Sequence, residues 1–175
     1  FLKSQINPHF LFNTLNNLYA LTLKKSDDAP EIVIKLSEMM RYMLYDCNEK
    51  QVPLSEEISY IHNYLDLEKL RQSKNADIRF EVSGVVADQQ IAPLMFIPFL
   101  ENSFKHGLTN ALAQGFVHIY LQVEGRHVSF FIENTKPDTK PVQDHKRSGG
   151  IGLVNVRRRL QLLYPGKYEI NIKDN

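Results

Sequence analysis

The sequence predicts an α+β protein in which an N-terminal helical hairpin precedes a sandwich, a mixed sheet covered by helices. Up to Leu65, apolar residues recur every three or four positions, as they do on one side of a helix. After residue 76 the apolar residues instead alternate with polar ones in several short runs, as they do in strands. The polar stretch 72–76 separates the two patterns. We therefore predict two domains, residues 1–74 and residues 75–175.

The first two helices are predicted from their apolar faces. The stripe of the first helix comprises Leu11, Leu15, Leu18 and Leu21. The stretch 26–30 then interrupts the pattern, and a second helix begins near Glu31 and ends by Val52 and Pro53. The apolar face of the second helix comprises Ile32, Leu36, Met39, Met40 and Met43.

A third helix is expected to start at Ser55, which is a suitable N-cap. Glu56 and Glu57 follow it, and acidic side chains are stabilised at the positive end of a helix. Its apolar face comprises Ile58, Ile61 and Leu65. The next position on that face is the charged Glu68, so we expect only part of this helix to be buried.

Four strands and two further helices are predicted in the second domain. The alternating apolar residues are Ile78, Phe80 and Val82; Val117, Ile119 and Leu121; Val128, Phe130 and Ile132; and Tyr168, Ile170 and Ile172. Glu124 and Gly125 favour a hairpin between the second and third of these strands. Residues 93–106 and 152–163 have helical patterns.

The composition excludes several classes of protein. With 21 basic and 20 acidic side chains and no Trp, the chain lacks the field and the aromatic residues of a nucleic-acid-binding surface. Cys47 is the single cysteine, so an internal disulfide is impossible and a reducing compartment is the simpler interpretation. No apolar run reaches the roughly 20 residues that cross a bilayer. Because Phe1 lies within an apparent running helix, we expect this chain to be a piece of a longer protein, with any membrane anchor outside it.

His9 is the first candidate for chemistry, because it follows Pro8 at the start of the first predicted helix. Proline is tolerated in the first helical turn, so the imidazole is expected to project from a rigid, exposed position. A neutral imidazole carries a lone pair that suits attack on phosphorus. Taken by itself, the residue is more simply interpreted as a surface or capping histidine.

A second candidate group lies on the helix 93–106. Asn102, Lys105 and His106 are three and four residues apart, so they share a side of that helix. An Asn oxygen can hold Mg²⁺ that bridges phosphates, and the two cationic side chains can neutralise phosphate charge. The alternative interpretation is an amphipathic helix with an ordinary polar face.

Glycines form the third candidate group. Gly149, Gly150 and Gly152 precede a helix, so exposed backbone amides and a helix N-terminus can both approach a phosphate. The preceding stretch 136–148 has one sizeable apolar residue, Val142, apart from prolines, and it carries four basic side chains. It predicts a lid that becomes ordered on an anionic ligand.

Three motifs in this order resemble the sensor histidine kinases of the LytS type. They are QINPHFLFNTLN at residues 5–16, PFLENSFKHG at residues 98–107 and GGIGLVNVRRRL at residues 149–160. Together they extend over nearly the whole chain, and three ordered motifs are far more specific than one. The resemblance implies a dimerisation and histidine-phosphotransfer segment followed by an ATP-binding domain of the GHKL fold, a mixed sheet under helices.

The resemblance also implies a role for each candidate residue. His9 would be the phosphoacceptor, and Asn102 would hold Mg²⁺. Lys105 and His106 would contact the phosphates of ATP. The second glycine box would be formed by Gly150, Gly152 and Leu153, with Asn155 directly behind it.

Three departures from the family pattern affect these roles. Asn134 stands where the family usually has an Asp that accepts a hydrogen bond from the adenine amine, and Lys136 and Asp138 stand where glycines are expected. A neutral acceptor in place of a charged one weakens such a bond by on the order of 1 kcal/mol, so ATP is retained as the expected ligand. Phe10 also replaces the acidic residue that follows the histidine in many histidine kinases, and the general base is unassigned.

We therefore expect a protein-histidine kinase core that transfers the γ-phosphate of Mg-ATP to His9 and then to an Asp of a response regulator. The alternative is a non-catalytic signalling scaffold with a degraded ATP site. An ATPase or serine kinase on the same fold would leave His9 without a role. The apolar helices 11–21 and 32–43 further predict a symmetric homodimer. The resemblance implies a cytoplasmic domain of a protein anchored in the bacterial inner membrane.

Overall fold

Three long helices form the first part of the structure, a computed structural model that describes residues 8–72, 76–108, 115–135 and 150–173. Helix α1 is Pro8–Leu23, α2 is Ala29–Leu44 and α3 is Leu54–Lys69, with a short 3-10 helix at Asp46–Asn48. Helix α1 packs on α2, and α2 packs on α3. The predicted three-helix pattern is confirmed, although α2 begins two residues before Glu31, because Pro30 occupies its first turn.

The apolar faces are partly as predicted. The predicted residues of α2 that are buried are Ile32, Leu36, Met39 and Met43. Met40 was predicted on this face and is 41% exposed, while Tyr42 is buried in its place. Leu15 of α1 is likewise 49% exposed, and Phe10 and Thr14 are the buried residues of that helix. The buried and exposed sides of α1 and α2 are therefore both rich in apolar residues.

A two-strand pairing that the sequence did not predict sets the start of α3. Strand β1, Val52–Pro53, pairs antiparallel with β3, Gln90–Ile91, and the Leu54 amide donates to the Gln89 carbonyl at 2.8 Å. The helix consequently begins at Leu54 after Pro53. The prediction that Ser55 is the N-cap is therefore wrong, because this residue already lies inside the helix.

The main sheet has three strands in the order β2, β4, β5. Strand β2 is Asp77–Gly84, β4 is Phe116–Glu124 and β5 is His127–Asn134. Strands β2 and β4 are parallel, and β4 and β5 form the predicted antiparallel hairpin. Gly125 has φ of +59° at the first position of the connecting two-residue turn, a conformation that favours glycine.

Helices from both parts of the chain cover one face of this sheet, and among them α3 contacts β2. Helix α4, Ile97–Gly107, packs on β4 and β5, and helix α5, Gly150–Leu163, packs on α4. The covered face of β4 is fully buried and comprises Val117, Ile119, Leu121 and Val123. These residues belong to one apolar core that also contains buried residues of α1, α2 and α3. The structure therefore has the predicted α+β class, with the helix-covered mixed sheet of the GHKL type.

Three other predictions for elements are wrong. Glu68 is 2% exposed, so α3 is buried to its end; Arg71 and Gln72 donate to its carboxylate at 2.8 and 3.3 Å. Helix α4 begins at Ile97 and not at Pro93, because Leu94 has φ of +56°, which a helix does not allow. Residues 168–172 do not form a strand.

Among the described residues, no helix is both long enough and apolar enough to span a membrane.

Candidate functional site

His9 lies in the first turn of α1, as predicted, and its side chain is exposed. Asn13, one turn further along the helix, places its Nδ2 atom 3.2 Å from both ring nitrogens. The tautomer decides which of the two nitrogens can accept a hydrogen bond. The candidate phosphoacceptor is therefore accessible and is contacted by one neighbouring amide.

The residue after His9 anchors α1 to the rest of the chain. The ring of Phe10 is buried and stacks on Tyr64 of α3, with centroids 4.9 Å apart. Tyr64 in turn meets the edge of Phe104 of α4 at 6.0 Å. This chain of three aromatic rings links the helix of His9 to the helix that carries Asn102. The two predicted motifs are thus connected through the core, although their polar side chains do not share a hydrogen bond among those described.

The candidate residues of α4 are less buried than the residues between them. Ser103 and Phe104 are buried, whereas Asn102 is half-buried and Lys105 is exposed. His106 belongs to the same helix, but its side chain lies outside the described residues. Asn102 and Lys105 therefore lie on α4 as predicted, and their roles remain a prediction.

Asn134 is the last residue of β5 and lies on the helix-covered side of the sheet. Its partner in register is Val117, which is buried on that side. The Thr135 hydroxyl accepts from the Phe116 amide at 2.7 Å and so fixes the end of the strand. The Asn134 amide donates through Nδ2 to the Thr135 carbonyl at 2.9 Å, which leaves its oxygen as the group to present to another partner.

The third predicted group lies at the start of α5. The helix begins at Gly150, so Gly150, Gly152 and Leu153 belong to its first turn, where backbone amides lack partners within the helix. The side-chain environment of the two glycines lies outside the described residues, while Leu153 is half-buried and Asn155 is exposed. The predicted lid 136–148, with Lys136 and Asp138, also lies outside them.

The predicted nucleotide-binding segments come from elements that pack together. Helix α4, which carries Asn102, packs on β5, which ends at Asn134, and on α5, which starts at Gly150. An amide oxygen, a cation and a helix N-terminus are the groups that Mg²⁺ and phosphates need. The residues present therefore fit a magnesium-bound nucleotide.

Sequence reasoning missed a buried polar cluster beside this site. Glu57 is 1% exposed, and its carboxylate accepts hydrogen bonds from Tyr42 Oη at 2.5 Å and from the Leu94 amide at 2.7 Å. Burial raises the pKa of Glu57, while its hydrogen bonds and the charge of Arg159 oppose that rise. An acidic residue in the first turn of a helix usually faces solvent, so no sequence signal distinguishes Glu57 from Glu56.

Comparison with known proteins adds independent findings. The Histidine kinase family model matches residues 1–76. The sensor histidine kinase BtsS of Escherichia coli K12 is 32% identical over 171 residues, which are 98% of this chain and 30% of that protein. The sensor protein LytS of Oceanobacillus iheyensis is 30% identical over 184 residues, which cover 99% of this chain and 32% of that protein. The chain therefore spans about a third of the length of these relatives.

Proposed function

Because the chain belongs to the LytS-type sensor histidine kinases, we propose that it is the ATP-dependent kinase core of a two-component system. The γ-phosphoryl group of ATP passes to His9 and from there to an aspartate on the receiver domain of a response regulator. The activity is proposed for the full-length protein, of which this chain supplies the phosphoacceptor segment, residues 1–74, and the ATP-binding domain, residues 75–175. We further propose that the full-length protein is anchored in the bacterial inner membrane, with this part on the cytoplasmic side.

The packing of α4 is the observation that carries the proposal. This one helix holds Asn102 and Lys105 and contacts both the strand that ends at Asn134 and the helix that starts at Gly150. Helix α4 thereby joins two elements that are distant from it in the sequence, and this packing supports the proposal. A scattered set of polar surface residues would not have this arrangement.

Each residue has a role in the proposed reaction. Asn102 holds Mg²⁺ through its side-chain oxygen, while Lys105 and His106 neutralise phosphate charge. The first-turn amides of α5, at Gly150, Gly152 and Leu153, would approach the phosphates, and Asn155 follows them directly in the sequence. Asn134 accepts a hydrogen bond from the adenine amine. When bound, Mg-ATP supplies the phosphoryl group and the divalent charge that stabilises its transfer.

His9 is activated mainly by its position. Phe10 occupies the place of an acidic neighbour and is buried against Tyr64, which fixes the first turn of α1. A half-turn of the Asn13 amide would present its oxygen to the ring N–H and leave the other ring nitrogen free for attack. An imidazole that is already neutral needs no base to generate its lone pair.

Phosphate labelling tests the assignment of His9. We expect the full-length protein with labelled ATP and Mg²⁺ to acquire acid-labile, base-stable phosphate, and we expect His9→Gln to remove it. His127→Gln is a matched control, because His127 is an exposed histidine on β5, and it should retain the label. Label that persists in His9→Gln would refute the assignment.

A non-catalytic scaffold is the second candidate, favoured by the neutral Asn134 in the place of an acid. Calorimetry with a non-hydrolysable ATP analogue and Mg²⁺ separates the two. Binding at micromolar concentration, with phosphate on His9, supports the kinase. Binding only at millimolar concentration, without phosphate on His9, supports the scaffold.

We also propose that two copies of the chain pair through the outer sides of α1 and α2. The exposed apolar residues of these helices, most of which recur at helical spacing, are Phe12, Leu15, Tyr19 and Leu23 on α1 and Val33, Ile34, Met40 and Leu44 on α2. Their number exceeds what a monomer usually leaves in water. Light scattering of the full-length protein should therefore give a dimer, and Tyr19→Glu should shift it towards monomer.

Tyr45→Glu is the control for that change. Tyr45 is 70% exposed, against 65% for Tyr19, but it follows the end of α2 and lies outside the two stripes. It should leave the dimer intact. A wild-type protein that is monomeric at all concentrations would contradict the proposed pairing.

A further inference from the structure

The turn 93–95, which leads into α4, is held from two sides by charged groups. On one side, the Glu57 carboxylate of α3 accepts from the Leu94 amide at 2.7 Å and from the Met95 amide at 3.2 Å. On the other side, the Arg159 guanidinium of α5 donates to the Pro93 carbonyl at 2.6 Å and approaches the Leu94 carbonyl at 3.5 Å. We call Glu57, Arg159 and the turn 93–95 the Leu94 clamp.

The turn needs such support because its backbone is strained. Leu94 has φ of +56°, in the left-handed region that residues with a side chain rarely adopt. This backbone conformation costs about 1–3 kcal/mol of folding free energy, and it persists only where the surrounding structure fixes it. The side chain of Leu94 is 3% exposed, so the core and the two charged partners fix this residue together.

The hydrogen bonds of the clamp lie in buried surroundings. Tyr42 donates its hydroxyl to Glu57 at 2.5 Å, and burial raises the pKa of that phenol. Burial lowers the pKa of Arg159, and the charge of Glu57 opposes this effect. Charge-assisted hydrogen bonds in such surroundings are stronger than those in water. The two side chains are therefore well suited to hold a backbone segment in place.

The clamp connects the proposed nucleotide site to the helical hairpin. The turn 93–95 directly precedes the helix of Asn102, and Arg159 lies on the helix whose first turn contains Gly150. Glu57 and Tyr42 lie on α3 and α2. A movement of α5 against α4 must therefore act on Leu94 and, through Glu57, on the hairpin.

We propose that Glu57 and Arg159 are positioning residues that set Asn102 against the amino end of α5 and transmit nucleotide binding from α5 to α3. The inference rests on the proposed function, because it concerns the same nucleotide site. Neither side chain touches the reacting atoms. Their contribution is to hold one turn of backbone in the single conformation that aligns the two phosphate-binding segments.

Amide hydrogen exchange of the full-length protein without nucleotide tests the clamp itself. The Leu94 and Met95 amides should exchange slowly in the wild type. Arg159→Gln should accelerate them about tenfold or more, although Arg159 does not bond to those amides, because the strained turn opens more often. Arg158→Gln, at the exposed neighbouring position, should not. Unchanged rates in Arg159→Gln would overturn the inference.

Nucleotide binding tests the transmission. With a saturating ATP analogue and Mg²⁺, residues 54–69 of the wild type should gain protection, and Arg159→Gln should lose that gain even at saturation. The affinity of Arg159→Gln for the analogue should also fall about tenfold. The reason is that the phosphate-binding segments are misplaced, not that a contact to the nucleotide is missing. Arg158→Gln should resemble the wild type in both respects. Equal affinity and equal protection in Arg159→Gln would overturn the inference.

The two experiments separate the clamp from the proposed function. A wild-type protein that does not bind the analogue would refute the proposed function, whereas the exchange rates at Leu94 would still decide whether the clamp exists. Protection of β4 reports whether each variant is folded. If Arg159→Gln is unfolded, Arg159→Lys decides, because a lysine keeps the charge but not the two-pronged geometry. If the Leu94 amide exchanges faster in Arg159→Lys than in the wild type, the clamp is supported. If the two rates are identical, the inference is overturned.

Discussion

Asn134 is the residue whose predicted role differs most from the family pattern, and its position gives that role a specific consequence. Its oxygen would accept from the adenine amine, whereas guanine presents a carbonyl oxygen at the same place. We therefore predict that Asn134→Ala lowers the preference for ATP over GTP by about fivefold to tenfold, the effect of one neutral hydrogen bond. Competition of GTP with a labelled ATP analogue measures this preference.

Glu133 provides the control for this test. It precedes Asn134 on the same strand but lies on the opposite, exposed side of the sheet. Glu133→Gln should leave the preference for ATP unchanged. If Asn134→Ala discriminates between the two nucleotides as well as the wild type does, another group reads the base.

Gly84 is a residue of the sheet at which an added side chain meets the neighbouring backbone. A Cβ atom at this position would lie 1.9 Å from the Val123 carbonyl oxygen, and φ is +86°. We predict that Gly84→Ala lowers the free energy of unfolding by about 3 kcal/mol, since backbone strain and a clash with backbone add. Urea denaturation measures this loss.

Gly125 separates these two causes. It also has positive φ, +59°, but a Cβ atom there would meet nothing within 4 Å. Gly125→Ala should therefore lower the free energy of unfolding by only about 1 kcal/mol. Equal losses in the two variants would mean that strand β2 moves away from Val123 without resistance.

At the scale of elements, an aromatic stack contributes to the docking of α4 on the sheet. Phe130 of β5 stacks on Phe96 with centroids 4.6 Å apart, next to the start of α4. We predict that Phe130→Leu lowers the free energy of unfolding by about 1.5 kcal/mol, through lost ring contacts and a small cavity. Phe131 points to the other side of the sheet and is 57% exposed. Phe131→Leu should change the free energy by less than about 0.5 kcal/mol.

Periodicity predicted these elements well wherever one side of them is buried. The alternation of Val117, Ile119 and Leu121 predicted β4, and the same residues form the covered face. It failed at Glu68, because a periodicity argument treats every charge as solvated, whereas Arg71 bonds to this carboxylate inside the structure. It also could not predict β1 and β3, which are two residues each and too short to show alternation.

At the scale of the whole molecule, motifs predict the candidate site residues but not the contacts that support them. Ordered motifs identified Asn102, and the structure brings its helix together with the strand of Asn134. No motif indicated the Leu94 clamp, because its acceptors and donors include backbone groups whose placement depends on the fold. Glu57 and Leu94 are 37 residues apart in the sequence, and Leu94 and Arg159 are 65 apart. Local patterns carry no information about such pairs.

The pH dependence of stability also belongs to the whole molecule, because buried and exposed carboxyl groups act in opposite directions. Burial raises the pKa of Glu68 and outweighs the opposing charge of Arg71. Burial also raises the pKa of Glu57 and there outweighs the hydrogen bonds to its carboxylate. The folded protein therefore binds these protons more tightly than the unfolded chain, in which the pKa of Glu is about 4.3. The stability from these groups is fully present below that value and is lost as the pH rises through their raised folded pKa.

Asp77 acts in the other sense, because hydrogen bonds from Arg79 and His118 lower its pKa. Its contribution is lost only as the pH falls below about 4.

We therefore predict that Glu68→Gln makes the free energy of unfolding less dependent on pH between about pH 4.5 and pH 7, because glutamine resembles the protonated acid at every pH. The variant should be destabilised less at pH 7 than at pH 5, relative to the wild type. Urea denaturation at several values of pH measures this. Glu81→Gln is the control, because Glu81 is exposed on β2. This variant should leave the slope of the unfolding free energy against pH as it is in the wild type. A slope in Glu68→Gln equal to that of the wild type would mean that the buried carboxyl titrates as it does in the unfolded chain, and that Arg71 and Gln72 fully offset its burial.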